Sequence, residues 1–188
     1  MNSSPETTDA VVEQGFAAAV EHLGLDPTTL PMRLAQTMAT GGTFGQALKV
    51  SAAYIEAFYE LGRVKLQANA LDEAVAMFRM ACMLDHWNKK HWLGLGRALR
   101  KLGQTNAAGQ CFCFAFAVAR DDFAPLLQAI GCFTLAGEDA AARELVGVVD
   151  TLRRAGNLPE ALRASWQDGD AVTLEALRSK LSKRSARP

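Results

Sequence analysis

Phe58-Tyr59-Glu60-Leu61-Gly62 and Trp92-Leu93-Gly94-Leu95-Gly96 are one pattern written twice, an aromatic residue followed four positions later by Leu-Gly's glycine. The two stretches lie 34 residues apart, and what surrounds them repeats at the same interval: Ala74 is matched by Ala108, Phe78 by Phe112 and Ala81 by Ala115. A fixed period of that length means one helix–turn–helix unit stacked on the next, because a single unit cannot bury its apolar face alone. Such a stack carries no built-in chemistry. It presents a continuous curved surface, and surfaces of that kind hold other proteins.

The period resembles the tetratricopeptide pattern, with units over 55–88, 89–122 and 123–156. Asn69, Gly103 and Gly137 fall where the first helix of each unit must end, and Asn and Gly tolerate positive φ most cheaply. Small residues at Gly62, Gly96, Ala74, Ala108 and Ala142 let paired helices approach, and Phe78, Phe112 and Val146 fill the space between units. The third unit is degenerate: Ile130 stands in the glycine column with Gly131 one residue late, Leu126 replaces the aromatic and Val149 the small alanine. Three units are about the minimum that buries a continuous core.

Around the repeat, residues 1–8 read as disordered. Residues 9–23 place Val12, Phe16, Ala19 and Leu23 on one stripe of a helix that Gly24 ends. Asp26-Pro27 or Thr29-x-Pro31 opens the next helix, stopped by Gly41-Gly42, and Ser51 is the N-cap of a long helix from Ala52. Beyond the third unit, Pro159 to Trp166 and Asp170 to Leu181 read as one or two further helices covering its open face, as a terminal cap must. The expected fold is all-α: a right-handed superhelix of three tetratricopeptide helix pairs with N-terminal helices and a C-terminal capping helix. The expected organisation is a disordered start (1–8), N-terminal helices able to dimerise (9–50), three repeats (51–156), then capping helices and a basic tail (157–188).

Twenty Lys and Arg balance twenty Asp and Glu, so no global field attracts nucleic acid or anionic lipid. The charge is uneven, with five acids and no base before Arg33, and Arg178, Lys180, Lys183, Arg184 and Arg187 without an acid after Glu175. That tail reads as solvated, a tail touching membrane or an acidic partner being the alternative. No apolar run approaches the ~20 residues needed to span a bilayer, and the polar start from Met1 to Asp9 is unlike a secretory signal. Cys82, Cys111, Cys113 and Cys132 lie inside helical apolar patterns without CxxC spacing and read as buried thiols in a reducing compartment. His86 and His91 match no zinc spacing, Gly94-x-Gly96 lies within a helix and lacks the third glycine of a dinucleotide loop, and no nucleophile arrangement is present. No metal, cofactor or catalytic residue is expected.

More specific is the run Cys82-Met83-Leu84-Asp85-His86-Trp87, followed by Trp92-Leu93-Gly94-Leu95-Gly96 and Leu102-Gly103. Together with Gly41-Gly42-Thr43 and Leu135-Ala136-Gly137-Glu138, it resembles the translocator-class chaperones of bacterial type III secretion systems over about residues 28–155. The resemblance implies a cytoplasmic, non-enzymatic chaperone that keeps hydrophobic translocator proteins soluble and unassembled before export. It also implies that an extended client segment rich in Pro and Leu lies in the concave groove, and that N-terminal helices often dimerise.

Repeat geometry places the groove beside that resemblance. The first helix of each unit faces the concave side, exposing there Glu56, Tyr59, Arg63 and Leu66, then Lys90, Leu93, Arg97 and Arg100, then Ala124, Leu127, Gly131 and Thr134. Apolar seats flanked by Arg and Lys donors suit an extended peptide whose carbonyls are unpaired. Tyr59 and Leu93 could instead complete the core, and a general tetratricopeptide scaffold joining folded proteins is the alternative function. The stripe of Val12, Phe16 and Leu23 docks on its own repeats or pairs with a second copy, and a homodimer is the favoured reading. Neither nucleic acid nor membrane is an expected direct partner.

Overall fold

Capping and breaking residues set where each helix starts and stops. A computed structural model describes residues 28–155 and 158–185, and among these every regular element is a helix. The polar start at 1–8, the stripe of Val12, Phe16 and Leu23 and the alternative opening at Asp26-Pro27 lie outside the described residues. Helix α1 (Leu30–Ala39) carries Pro31 in its first turn, where a missing N–H costs nothing. Gly41 follows at φ 76°. Short α2 (Phe44–Ala47) opens with a capping box: Gln46 N donates to Thr43 Oγ1 at 3.2 Å, and Thr43 N donates to Gln46 Oε1 at 2.8 Å. Ser51 caps α3 (Ala52–Gln67), accepting from Tyr54 N at 3.3 Å.

Three helix pairs follow: α3 with α4 (Leu71–Leu84), α5 (Lys89–Lys101) with α6 (Thr105–Ala119), and α7 (Ala124–Ala136) with α8 (Asp139–Arg154). Each pair turns on the same device. Asn69, Gly103 and Gly137 hold φ of 59°, 83° and 82°. The residue after each donates its N–H back into the ending helix, Ala70 to Lys65, Gln104 to Leu99 and Glu138 to Phe133, all at 2.9 Å. That is the left-handed closure that satisfies a helix's last carbonyls.

One apolar cluster runs from Ala74 to Leu181 through all three pairs. Ala74, Ala108 and Ala142 are fully buried at the helix crossings. Phe78, also fully buried, lies between two first helices: a Cβ on Gly62 would stand 2.9 Å from its ring, and one on Gly94 2.5 Å. Phe112 repeats the contact against Gly96. In the third unit Ile130 and Val149 are fully buried, while Val146 is only half-buried and lines a cleft with Arg178 and Leu181.

Two helices close the described chain, α9 (Glu160–Ala164) and α10 (Asp168–Ser185). Trp166 between them stands edge-on to Phe123 at 5.1 Å, with the Arg153 guanidinium 4.1 Å from its ring centre. Leu174, Leu177 and Leu181 bury one side of α10. Arg178 pairs with Asp150, and Arg184 pairs with Asp139 at 2.9 Å. Rising numbers on α10 thus meet falling numbers on α8, so α10 runs antiparallel to α8 and parallel to α7. It lies where the first helix of a fourth unit would lie. None of the described helices is long and apolar enough to cross a membrane.

Candidate functional site

The first helices α3, α5 and α7 are neighbours because the 34-residue interval returns equivalent side chains to equivalent places. Glu56 of α3 therefore meets Lys90 of α5, 34 positions on, as an ion pair. The same Lys90 ammonium lies 4.8 Å from the centre of the Tyr59 ring, a distance at which the ring's negative face attracts a cation. Beneath, Tyr59 touches the Phe78 ring at 5.6 Å and the His91 ring at 5.7 Å. Tyr59 is half-buried: its inner side completes the core and its outer side faces the shared surface of the first helices.

Across that surface, Leu66 and Leu93 are likewise half-buried against the core. Arg63 is exposed and donates to Glu60 at 2.9 Å on the same helix, which leaves part of its fork for another acceptor. Arg97 and Arg100 are exposed, the Arg100 guanidinium lying 5.9 Å from the Phe112 ring centre. The structure thus brings together Glu56, Tyr59, Lys90 and Leu93, with arginines along the rim.

The third unit departs from the sequence reading. Leu127 and Thr134, placed by spacing on the open surface, are only 6% and 5% exposed. Thr134 turns its hydroxyl back to the Ile130 carbonyl at 2.8 Å, and Leu177 of α10 stands 3.9 Å from where a Gly131 Cβ would be. The correction has a simple cause: α10 lies alongside α7 and covers seats that would be open if the chain ended at the third pair. What remains there is a cleft of about 260 Å³ lined by Arg100, Leu127, Gly131, Leu135 and Leu177 among others. Sequence reasoning missed Leu135 and the α10 side chains as part of this surface. The sequence reads Asp170 to Leu181 as a covering helix, and the three- and four-residue steps of Leu174, Leu177 and Leu181 carried the signal for the side that docks.

The polar residues near unit boundaries serve the fold. His91, 1% exposed, sets Nδ1 3.0 Å from the Asp85 carbonyl, and Trp92 Nε1 donates to the His86 carbonyl at 2.8 Å. Trp87 Nε1 donates to the Gly41 carbonyl at 2.8 Å and ties the first boundary to the segment before α2. Burial pushes the Cys82 thiol up to about 12 and that of Cys111 up to about 11, so neither is a thiolate near neutral pH.

No family model matches the chain. Among curated proteins it is 31% identical over 68 residues to low calcium response locus protein H of Yersinia pestis, a match covering 36% of this chain and 40% of that protein. To chaperone protein SicA of Salmonella typhimurium it is 30% identical over 122 residues, 65% of each chain. The chain thus spans less than two thirds of the length of either relative. Among solved structures, the Yersinia enterocolitica type III secretion chaperone SycD, in complex with a peptide of the translocator YopD, superposes with a TM-score of 0.53 at 25% identity. That match covers 70% of this chain and 97% of SycD. In sequence and in fold, the chain is similar to the chaperones of type III secretion translocators.

Proposed function

We propose that the chain is a cytoplasmic chaperone that binds secreted, hydrophobic translocator proteins along the shared face of its first helices and keeps them soluble and unassembled before export. The supporting observation is the surface built from Glu56, Tyr59, Lys90 and Leu93. Two half-buried apolar side chains sit on rigid helices with cationic donors beside them. An extended peptide leaves its carbonyls unpaired and needs such donors next to apolar seats. SycD, with which the chain shares its fold, holds a translocator peptide. Rigid helices let a peptide bind without first ordering the receptor, which spares the entropy of arranging a loop. Arg63, Leu66, Arg97 and Arg100 extend the same surface, and its far end is the cleft between α7 and α10 beside Gly131 and Leu135. Pairing with a second copy through Val12, Phe16 and Leu23 is part of the proposal.

Co-expression of a hydrophobic translocator with the native chain or with the Tyr59→Ala, Leu93→Ala double variant tests the reading. The native chain keeps the client in the soluble fraction and co-purifies with it. The double variant, helical by circular dichroism, leaves the client insoluble. A folded double variant that retains the client would remove this surface as its binding site. For the pairing, deletion of residues 1–25 shifts the sedimentation coefficient toward a monomer, and an unchanged coefficient would contradict it.

A further inference from the structure

Where α10 runs beside α7, the surface of the first helices changes character. Leu135 is 72% exposed, an unusual position for a leucine flanked by buried Thr134. It stands between two clefts. One, of about 260 Å³, has Arg100 on its rim; the other, of about 360 Å³, is lined by Thr134, Leu135, Lys180, Lys183 and Arg184. Leu135 is the wall they share.

The charged side chains that line the two clefts are all cationic. Arg184 is committed to Asp139, but among the described residues no carboxylate lies within ion-pair distance of Arg100, Lys180 or Lys183. At the opposite end the acids are matched on the spot, Glu56 by Lys90 and Glu60 by Arg63. The surface is therefore charge-balanced at the first unit and uncompensated and cationic at the third. Lys180 and Lys183 are three apart on α10, both exposed, while Leu174, Leu177 and Leu181 anchor the helix from its other side. Their ammonium groups are held near the clefts by a docked helix, not carried on a loose tail.

We infer that this end of the surface takes an acidic-flanked apolar segment of the client: an extended stretch whose apolar side chain enters the clefts beside Leu135 and whose neighbouring Asp or Glu carboxylates pair with Lys180, Lys183 and Arg100. Charge complementarity picks this occupant, since an apolar cleft alone would accept any greasy side chain, but uncompensated cations favour carboxylates beside it. The polarity also fixes direction, because a segment with its acids at one end pairs only when that end lies at the third unit. This inference rests on the groove proposed above and specifies what fills its far end.

Selection from a random dodecapeptide display library on the full native chain, and in parallel on the Lys180→Glu, Lys183→Glu variant, tests it. Both side chains are exposed and neither touches the core, so the variant's circular dichroism and melting should match the native chain's. Peptides enriched on the native chain carry an apolar residue with Asp or Glu clustered at one end, and those enriched on the variant lose the acids. A synthetic peptide from the native selection should bind the variant about tenfold more weakly, as expected when two exposed ion pairs become repulsions. Raising salt should narrow that gap. Native-selected peptides without acid enrichment, or with enrichment unchanged on the variant, would overturn the inference while leaving the groove intact. A native chain that enriches no peptide would remove the groove reading and this inference together. Binding to phosphatidylserine vesicles that the variant loses, without acid-bearing peptides, would assign the cations to a membrane surface and also overturn it.

Discussion

Replacing Gly94 by alanine would set a Cβ 2.5 Å from Cε1 and 2.7 Å from Cδ1 of Phe78. Non-bonded carbons settle at roughly 3.5–4.0 Å, so the ring would have to retreat by about 1 Å. It has nowhere to go. Phe78 is fully buried, and Gly62 of the neighbouring first helix also leaves room for no more than a hydrogen, a Cβ there standing 2.9 Å from the same ring. Forcing a methyl group into a packed core costs about 1–3 kcal/mol. Against that, alanine in a helix interior is favoured over glycine by about 0.8–1 kcal/mol. With two first helices already tight against the same ring atoms, the strain lies near the upper end, so a net loss of about 1–2 kcal/mol follows. At roughly 2–4 °C per kcal/mol for a domain of this size, the melting temperature should fall by about 2–8 °C. Gly147, inside α8 with nothing within 4 Å of an added Cβ, is the control: alanine there should stabilise by up to about 1 kcal/mol. Thermal and urea denaturation followed by circular dichroism read both. The Phe78→Leu background should abolish most of the Gly94→Ala penalty, because the smaller side chain can yield. A Gly94→Ala chain as stable as the native one, or a penalty undiminished in the Phe78→Leu background, would refute the idea that this ring is wedged between two first helices.

Gly103→Ala meets no steric neighbour within 4 Å but must hold φ near 83°, so it should cost about 1–2 kcal/mol through backbone strain alone, and a neutral result would argue against the left-handed closure. Leu174→Ala on α10 should cost about 2–3 kcal/mol in urea denaturation, whereas an unchanged midpoint would mean that α10 is not docked on the third pair. Cys82 and Cys111 should resist N-ethylmaleimide at pH 8 until the chain unfolds, and rapid labelling of the native chain would contradict their burial. Because burial raises the Cys82 thiol from 9.0 to about 12, its neutral form is favoured in the folded state. Its contribution is complete below pH 9 and declines as pH climbs toward 12, so the unfolding midpoint should drop across that range less steeply in Cys82→Ala.

Much of the fold is legible in the sequence because backbone sterics and close approach write themselves into residue types. Asn69, Gly103 and Gly137 mark the turns since few residues hold positive φ cheaply, and Gly62 and Gly96 mark the crossings since only glycine fits against Phe78 and Phe112. The period also carries the Glu56–Lys90 pair, which a unit-by-unit alignment places on adjacent helices. Gly94 is different. Its role as the second jaw on Phe78 lies between units rather than within one, and nothing in the local pattern distinguishes it from a helix-weakening glycine. The end of the candidate site was misjudged for a related reason. The capping helix over Asp170 to Leu181 was legible, but spacing along α7 did not say that it would cover Leu127 and Thr134. Likewise, the tie from Trp87 to the Gly41 carbonyl joins residues 46 apart, and no periodicity announces it.

The central proposal, that the face of the first helices grips the client, is tested most directly by site-specific photocross-linking in the assembled complex. A benzoylphenylalanine at Arg97, exposed on α5, is set against one at Met80, exposed on α4. With a co-expressed hydrophobic translocator as client, position 97 should cross-link to it and position 80 should not. A client captured from position 80 and not from position 97 would place the binding surface on the second helices and contradict the proposal.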